Sequence, residues 1–394
     1  MISPTYCNLS WDWYAVDIST MEWQMCPKPP WRQILEGDHW PTNDIMTDRR
    51  QAHLEGRRHS DCSCCWTLED QGVESKRQSH LRILGQQHTS TQEATNMCRI
   101  EIKHGNTCDL ACRYCWAGQS SIWALRDEHP KWGKDQLLNI ERSKEISTLR
   151  EQFWIWFQSN IDRFYQIRLT GGEAPITKSF YETLERMRFK NKEIMIITNG
   201  NTPATWMNKF IKAIDRLLVD GNKVLIRFSL DGVSDQHTWQ RQGGSWDTIV
   251  KNIKTLSAMP IHIVYGLTLT PLSLESMVPL TKFVNESASY SKNKPSWNIA
   301  SVVHYPWDLH PGGWYGSFQD EIIEKLKLLT DERVDSSFYR PQVQTWIKPK
   351  TLPSQESVKK LVAFLDDVQL KWSGIGEWRN IYPKVARICD EVSR

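Results

Sequence analysis

"CRIEIKHGNTCDLACRYCW", Cys98 to Trp116, joins two patterns whose combination decides the fold. Its first part, Cys98 to His104, alternates apolar and polar residues as a strand does. Its second part sets Cys108, Cys112 and Cys115 at C-x3-C-x2-C spacing. A strand that empties into a loop of chemically active side chains is the arrangement of a β/α barrel. The thiols by themselves leave three readings: a zinc site, a disulfide, or an iron-sulfur cluster without a fourth protein ligand. Structural zinc wants four N or S ligands, and no Cys or His stands nearby at zinc-finger spacing. A Cys112–Cys115 bridge would be a C-x2-C redox pair, a motif that usually opens a helix in a thioredoxin-like unit. Three thiolates on one loop suit a cubane whose fourth iron stays open.

Downstream of this stretch, short apolar runs alternate with longer amphipathic segments. Gln166 to Glu173, Glu193 to Gly200, Val224 to Gly232, Ile261 to Leu269 and Trp297 to Pro306 read as further strands. Stretches such as "NIERSKEISTLREQFWIWFQSNIDRF" and "PATWMNKFIKAIDRLL" carry apolar residues at helical spacing. Six strands, each returning through a helix, predict an α/β fold: a partial (β/α)6 TIM-like barrel. The unusual residues fall at strand ends: the three cysteines after the first strand, Gly171-Gly172-Glu173 after the second, Thr198-Asn199-Gly200 after the third, Ser229 and Asp231 after the fourth.

Upstream, residues 1–84 are rich in Trp, Pro, Cys and Arg and predict a small loop-rich module that something must hold together. Residues 85–97 have linker composition, 98–310 form the expected barrel, and 311–394 a C-terminal helical region covering it. The chain of 394 residues, 40% hydrophobic and 24% charged, is ordinary for a globular protein, and its net charge of +3 neither demands nor excludes nucleic acid. No signal peptide or apolar span of membrane length is visible, which reads as a cytoplasmic protein with no membrane partner. Ten cysteines, clustered rather than scattered, favour metal or redox chemistry over a disulfide framework. Cys98 and Cys389 are isolated and read as packed thiols. The basic run "RRQAHLEGRRHSD" reads as a solvated helix face, His104 as either a site residue or a hydrogen-bonded histidine, and His304, Tyr305 and Trp307 as pocket wall.

The triplet, with Tyr114 just before its last cysteine, resembles the signature of the radical S-adenosylmethionine (SAM) superfamily. "LTGGEAPI" resembles that family's GGE motif, "FSLDG" its fourth-strand segment, and "QRQGGSWDTIVKNI" the segment that follows. The resemblance implies a 4Fe-4S cluster on Cys108, Cys112 and Cys115, and SAM contacts from Tyr114, Gly171, Gly172, Glu173, Thr198, Asn199, Ser229 and Asp231. Arg241 would pair the methionine carboxylate. It also implies reductive cleavage of SAM to a 5'-deoxyadenosyl radical that abstracts substrate hydrogen, with a flavodoxin or ferredoxin as reducing partner. "LEGRRHSDCSCCWTLEDQGVESKR" resembles an accessory twitch or SPASM-like module, which implies an auxiliary 4Fe-4S cluster on Cys7, Cys26, Cys62 and Cys65 with Cys64 as a spare. A zinc knuckle of the same thiolates is the alternative. The substrate implied first is a peptide or protein. A nucleotide or hypermodified DNA base comes second, and a non-catalytic metal scaffold third.

Overall fold

The computed structural model describes residues 3–26, 32–33, 44–70, 75–86, 88–92, 98–125, 143–302, 309, 311, 313–328, 352–371 and 376–394. His304, Tyr305 and Trp307 lie outside the described residues.

Eleven strands are described: β1 Trp13–Asp17, β2 Glu22–Gln24, β3 Arg32–Gln33, β4 Cys98–Lys103, β5 Ala111–Cys112, β6 Phe164–Thr170, β7 Glu193–Thr198, β8 Lys223–Ser229, β9 Arg241–Gln242, β10 His262–Leu269 and β11 Ser296–Val302. All six expected strands are present, and they lie side by side in chain order: β4, β6, β7, β8, β10, β11. Every pairing among them is parallel. Helices return the chain between them, among them Ser143–Asn160, Lys178–Arg186, Ala204–Val219, Trp246–Ser257 and Met277–Ser287. The result is an α/β fold with a mostly parallel sheet.

Period-two alternation gives this sheet two unlike faces. Ile100 and Ile102, Ile167 and Leu169, Ile194 and Ile196, Val224 and Ile226, and Ile263 and Tyr265 all belong to the main buried core under the helices. The residues between them, including Arg99, Glu101, Lys103, Arg168, Thr170, Met195, Ile197, Leu225, Arg227 and Ser229, face the other way. Register confirms the row, with Glu101 beside Arg168, Arg168 beside Met195, and Ile197 beside Arg227.

The N-terminal residues depart from expectation. They were predicted to be loop-rich, yet they contain helices Asp44–Glu55, Ser63–Asp70 and Lys76–Leu84. Moreover β1 joins the large sheet as a seventh parallel strand, pairing Ala15 with Glu101 and Asp17 with Lys103, and β2 and β3 extend that edge antiparallel. The expected solvated basic face is also corrected. Arg49, Arg50 and His53 are buried, because the helix Asp44–Glu55 turns them onto backbone and sulfur acceptors. Arg50 Nε donates to Ser10 O at 2.9 Å, and His53 Nδ1 meets Thr5 O at 2.6 Å. Of the run's arginines, only Arg57 and Arg58 are exposed, each beside a carboxylate. Cys98 and Cys389 are packed in the core, as isolated thiols should be. At the other end of the chain, the Glu275 carboxylate accepts from the backbone N–H groups of Lys384 and Val385, docking the first turn of the helix Pro383–Ser393. Among the described residues no helix is long and apolar enough to cross a membrane.

The β1–β4 junction is held by a buried ion pair, Lys103 Nζ to Asp17 at 2.7 Å, with both side chains at most 10% exposed. Lys103→Met should cost about 3 kcal/mol in chemical denaturation, because it strands a buried carboxylate. The double variant with Asp17→Asn should recover part of that loss.

Candidate active site

The loop after β4 carries the three cysteines, and its backbone is tied on both sides. Cys112 lies in β5, whose partner strand β9 sets Cys112 opposite Arg241. Trp123 Nε1 donates to Cys112 O at 3.0 Å, and Cys115 N to the same carbonyl at 2.9 Å. The sulfurs receive soft polar contacts: Leu110 N to Cys108 Sγ at 3.5 Å, Asn199 Nδ2 to Cys108 Sγ at 4.0 Å, and Arg241 Nη1 to Cys112 Sγ at 3.8 Å. Burial pushes all three thiols up, Cys112 to about 12 and Cys115 to about 11. Thiols so placed ionise only against strong positive charge, which is what iron supplies. Among the described residues no three His, Cys, Asp or Glu side chains converge as ligands of a single ion. A cubane makes no such demand, since each of its cysteines meets a different iron.

The GGE loop after β6 lies directly against the cysteine loop. Gly172 N donates to Gly105 O at 2.9 Å and Glu173 N to Thr107 O at 2.7 Å. A Cβ at Gly172 would fall 2.4 Å from Thr107 O and 2.6 Å from Asn106 O, so only glycine fits. The close approach that glycine permits here is one toward backbone. The Glu173 carboxylate is buried and faces inward to β7: it accepts from Thr198 Oγ1, from Asn199 N at 2.7 Å and from Thr202 Oγ1 at 3.4 Å. What this loop leaves for a ligand is its backbone.

Asp231 forms the second hub. It accepts from Tyr114 Oη, from Arg241 Nε at 2.6 Å and from Thr268 N at 2.9 Å, and its side chain is fully buried. Arg241, expected to meet a methionine carboxylate, is therefore engaged by Asp231 and Cys112 Sγ. Ser229 ends β8 on the face that carries Arg227 and remains partly exposed. Of the expected residues, Tyr114, Glu173, Thr198, Asn199, Asp231 and Arg241 come together around the cysteine loop in these two hubs. Sequence reasoning missed Asp109, which accepts from Asn199 Nδ2 and Asn201 Nδ2, both at 2.8 Å, and fixes the cysteine loop to the β7 end. Its only signal was its place beside Cys108. His104 is buried and hydrogen-bonded to Thr170 O and Thr183 Oγ1, on the helix side of the sheet.

In the N-terminal region Cys7, Cys26, Cys62, Cys64 and Cys65 line one tight cavity of about 10 Å³ together with Arg49. Arg49 is 4% exposed, donates from Nη2 to Cys26 Sγ at 3.4 Å, and has no partner at Nε among the described residues. Burial pushes the Cys7 thiol up, and the Cys62 thiol to about 11. A buried guanidinium facing sulfur calls for negative charge on that sulfur.

Comparison with known proteins bears on the cysteine loop and the strands behind it. The family model for the radical SAM superfamily matches residues 102–284. This segment is a radical SAM superfamily domain. Members of that superfamily are enzymes. The chain is 22% identical over 271 residues to the radical SAM cyclopropyl synthase TigE of Paramaledivibacter caminithermalis, a match covering 67% of this chain and 52% of that protein. It therefore spans about half the length of this curated relative. Among solved structures, Streptococcus suis SuiB bound to S-adenosylmethionine aligns with TM-score 0.40 and 16% identity over 73% of this chain and 57% of that one. SuiB bound to its precursor peptide SuiA aligns with TM-score 0.37 and 14% identity, over 71% and 61%.

Two outcomes test the radical SAM loop geometry. Gly172→Ala should destabilise the apoprotein by about 2 kcal/mol in chemical denaturation, as overpacking against backbone does. Burial first, then the nearby Asp109 charge, raises Glu173 from 4.5 to about 8. The folded state then binds the extra proton, so this group's stabilisation is complete below about 4.5 and fades as pH rises through about 8. Glu173→Gln should flatten that part of the melting temperature against pH; an unchanged slope would refute it.

Proposed function

We propose that this chain is a radical SAM enzyme built on a partial (β/α)6 barrel, acting on a peptide or protein. The observation that carries the reading is the junction of the two loops: Cys108, Cys112 and Cys115 sit beside the GGE backbone, locked by Gly172 against Asn106 and Thr107. Cys108, Cys112 and Cys115 would hold a 4Fe-4S cluster. When bound, that cluster with SAM supplies a 5'-deoxyadenosyl radical for hydrogen abstraction.

The chain's own residues do the positioning. Arg241 and Asn199 steady the charge on Cys112 and Cys108 through their contacts with sulfur. Asp231 fixes Arg241 and Tyr114, so the ring before Cys115 keeps one orientation at the cofactor. The backbone carbonyls of Gly171 and Gly172 would meet the methionine end of SAM, the Gly172 amide being taken by Gly105 O, with Thr198 and Ser229 at the neighbouring strand ends. The one-electron supply would come from a flavodoxin or ferredoxin type donor, in a cytoplasmic setting where thiols stay reduced.

Cys7, Cys26, Cys62 and Cys65 would hold an auxiliary 4Fe-4S cluster of twitch or SPASM-like type, with Arg49 as its buried counter-charge. The substrate class rests on the resemblance of that cysteine-rich region, whose relatives accompany peptide-modifying enzymes. The curated relative is a cyclopropyl synthase, which sets carbon-skeleton modification among the reactions to look for.

Metal analysis decides between the readings. After anaerobic reconstitution, about eight irons per chain should fall to about four in the Cys108→Ala, Cys112→Ala, Cys115→Ala variant, as two cubanes require. About four irons plus one zinc would keep the radical reading and make the N-terminal metal structural. No iron would defeat the proposal. 5'-Deoxyadenosine should form from SAM and dithionite in the wild type and not in the triple variant.

A further inference from the structure

Cys115 N bonds back to Cys112 O at 2.9 Å, so Arg113 and Tyr114 are the two central residues of one turn inside the cysteine loop. Tyr114 is held by Asp231, whereas Arg113 is buried and held from another quarter. Three of its bonds run to one short segment: N to Gln240 O at 2.9 Å, Nε to Trp239 O at 3.1 Å, and Nη1 to Gln242 Oε1 at 3.1 Å. That segment leads into β9, which sets Arg241 opposite Cys112. The Arg113 guanidinium also lies over the Trp239 ring, 5.0 Å from its centre, where an indole face stabilises a buried cation.

Trp239 is 1% exposed, and its Nε1 has no hydrogen-bond partner among the described residues, so packing alone fixes this side chain. Part of that packing comes from the far end of the chain. The Tyr382 ring meets Trp239 edge-on, with 5.9 Å between centres and an angle of 81° between planes. Tyr382 is itself fully buried, and its Oη donates to Gln236 O while Gln236 Nε2 donates to Ile381 O at 3.4 Å. Immediately after it begins the helix Pro383–Ser393, whose first turn is held by the Glu275 carboxylate. The C-terminal segment is thereby fastened at a second place and can act as a fixed stop behind Trp239.

We propose that Tyr382 and Trp239 are positioning residues for SAM: through Arg113 they hold the turn between Cys112 and Cys115, and with it Tyr114 and Arg241, in the arrangement that binds the cofactor. This rests on the radical SAM reading above and brings Tyr382, outside the matched residues 102–284, into the support of the site. A space-filling role alone would make any cavity in the C-terminal helix act alike; a positioning role makes the ring at Tyr382 matter and its neighbours in the helix indifferent.

The reconstituted full chain is titrated with SAM after reduction, following the change that SAM produces in the electron paramagnetic resonance spectrum, and 5'-deoxyadenosine formation gives KM and kcat in parallel. Tyr382→Leu should raise the half-saturating SAM concentration and KM about fivefold, the scale of one lost aromatic contact, with iron content unchanged and kcat altered less than KM. Tyr382→Phe keeps the edge against Trp239 and should stay close to wild type. Ile388→Ala opens a cavity in the helix Pro383–Ser393 and should lower stability yet leave SAM binding unchanged. Should Tyr382→Leu fail to fold, Trp239→Phe, which leaves Arg113 a smaller ring, should raise both values in its place. Wild-type SAM affinity in Tyr382→Leu or Trp239→Phe overturns the proposal while the radical reading stands, as does an equal loss in Ile388→Ala. A wild type that forms no 5'-deoxyadenosine sinks the radical reading and the proposal together.

Discussion

Gly172 touches the carbonyls of Asn106 and Thr107 with no space for a methyl group, and the geometry of the site depends on that contact. It brings the end of β6 against the loop after β4, so that two backbone N–H groups can bond across. From there constraint passes through Glu173 to the end of β7, and through Asp109 back from β7 to the cysteine loop. The Asp231 hub does the same between β8, Arg241 and Tyr114. Three thiols are thus held by a closed circuit of backbone and carboxylate bonds rather than by their own contacts. Such rigidity is what a cluster-binding loop needs, because ligands held only by metal would leave the cofactor's position undefined.

The same sheet serves two purposes on its two faces. Aliphatic side chains on the helix side bury the core and make the sheet rigid. The opposite side is mixed, with partly open charged and polar side chains beside buried Met195, Leu225 and Val264. Arginines on β4, β6 and β8 sit there within reach of one another's charge.

The six parallel strands were legible because the helix-side face of each is rich in Ile, Val and Leu at period two, and each lies next to its sequence neighbour in space. β1 was not, because "WYAVD" is short and its parallel partner lies some eighty residues on, beyond the reach of local pattern. The helix Asp44–Glu55 was missed for another reason. Its buried residues include Arg49, Arg50 and His53, so it shows no apolar stripe to read. In the site, the cysteines and the Gly-Gly-Glu step were legible from spacing. The inward role of Glu173 and the pairing of Arg241 with Asp231 were not, since the same residues could as well have pointed at a ligand. Asp109 acts only through neighbours that folding brings to it.

The parallel pairing of β1 with β4 has a consequence for where this chain can be cut. Everything between Asp17 and Cys98, with the thiol cavity's lining from Cys26 to Arg77, is a crossover connection between two adjacent strands of one sheet, while Cys7 and Leu9 of that lining precede β1. A fragment beginning at Cys98 would therefore expose the N–H and C=O groups of Arg99 to Lys103 along a bare edge, with no strand beside them. Bare edges recruit other chains. The thiol-rich region is in this sense sewn into the sheet, and removing it would convert an internal seam of the sheet into a site of self-association.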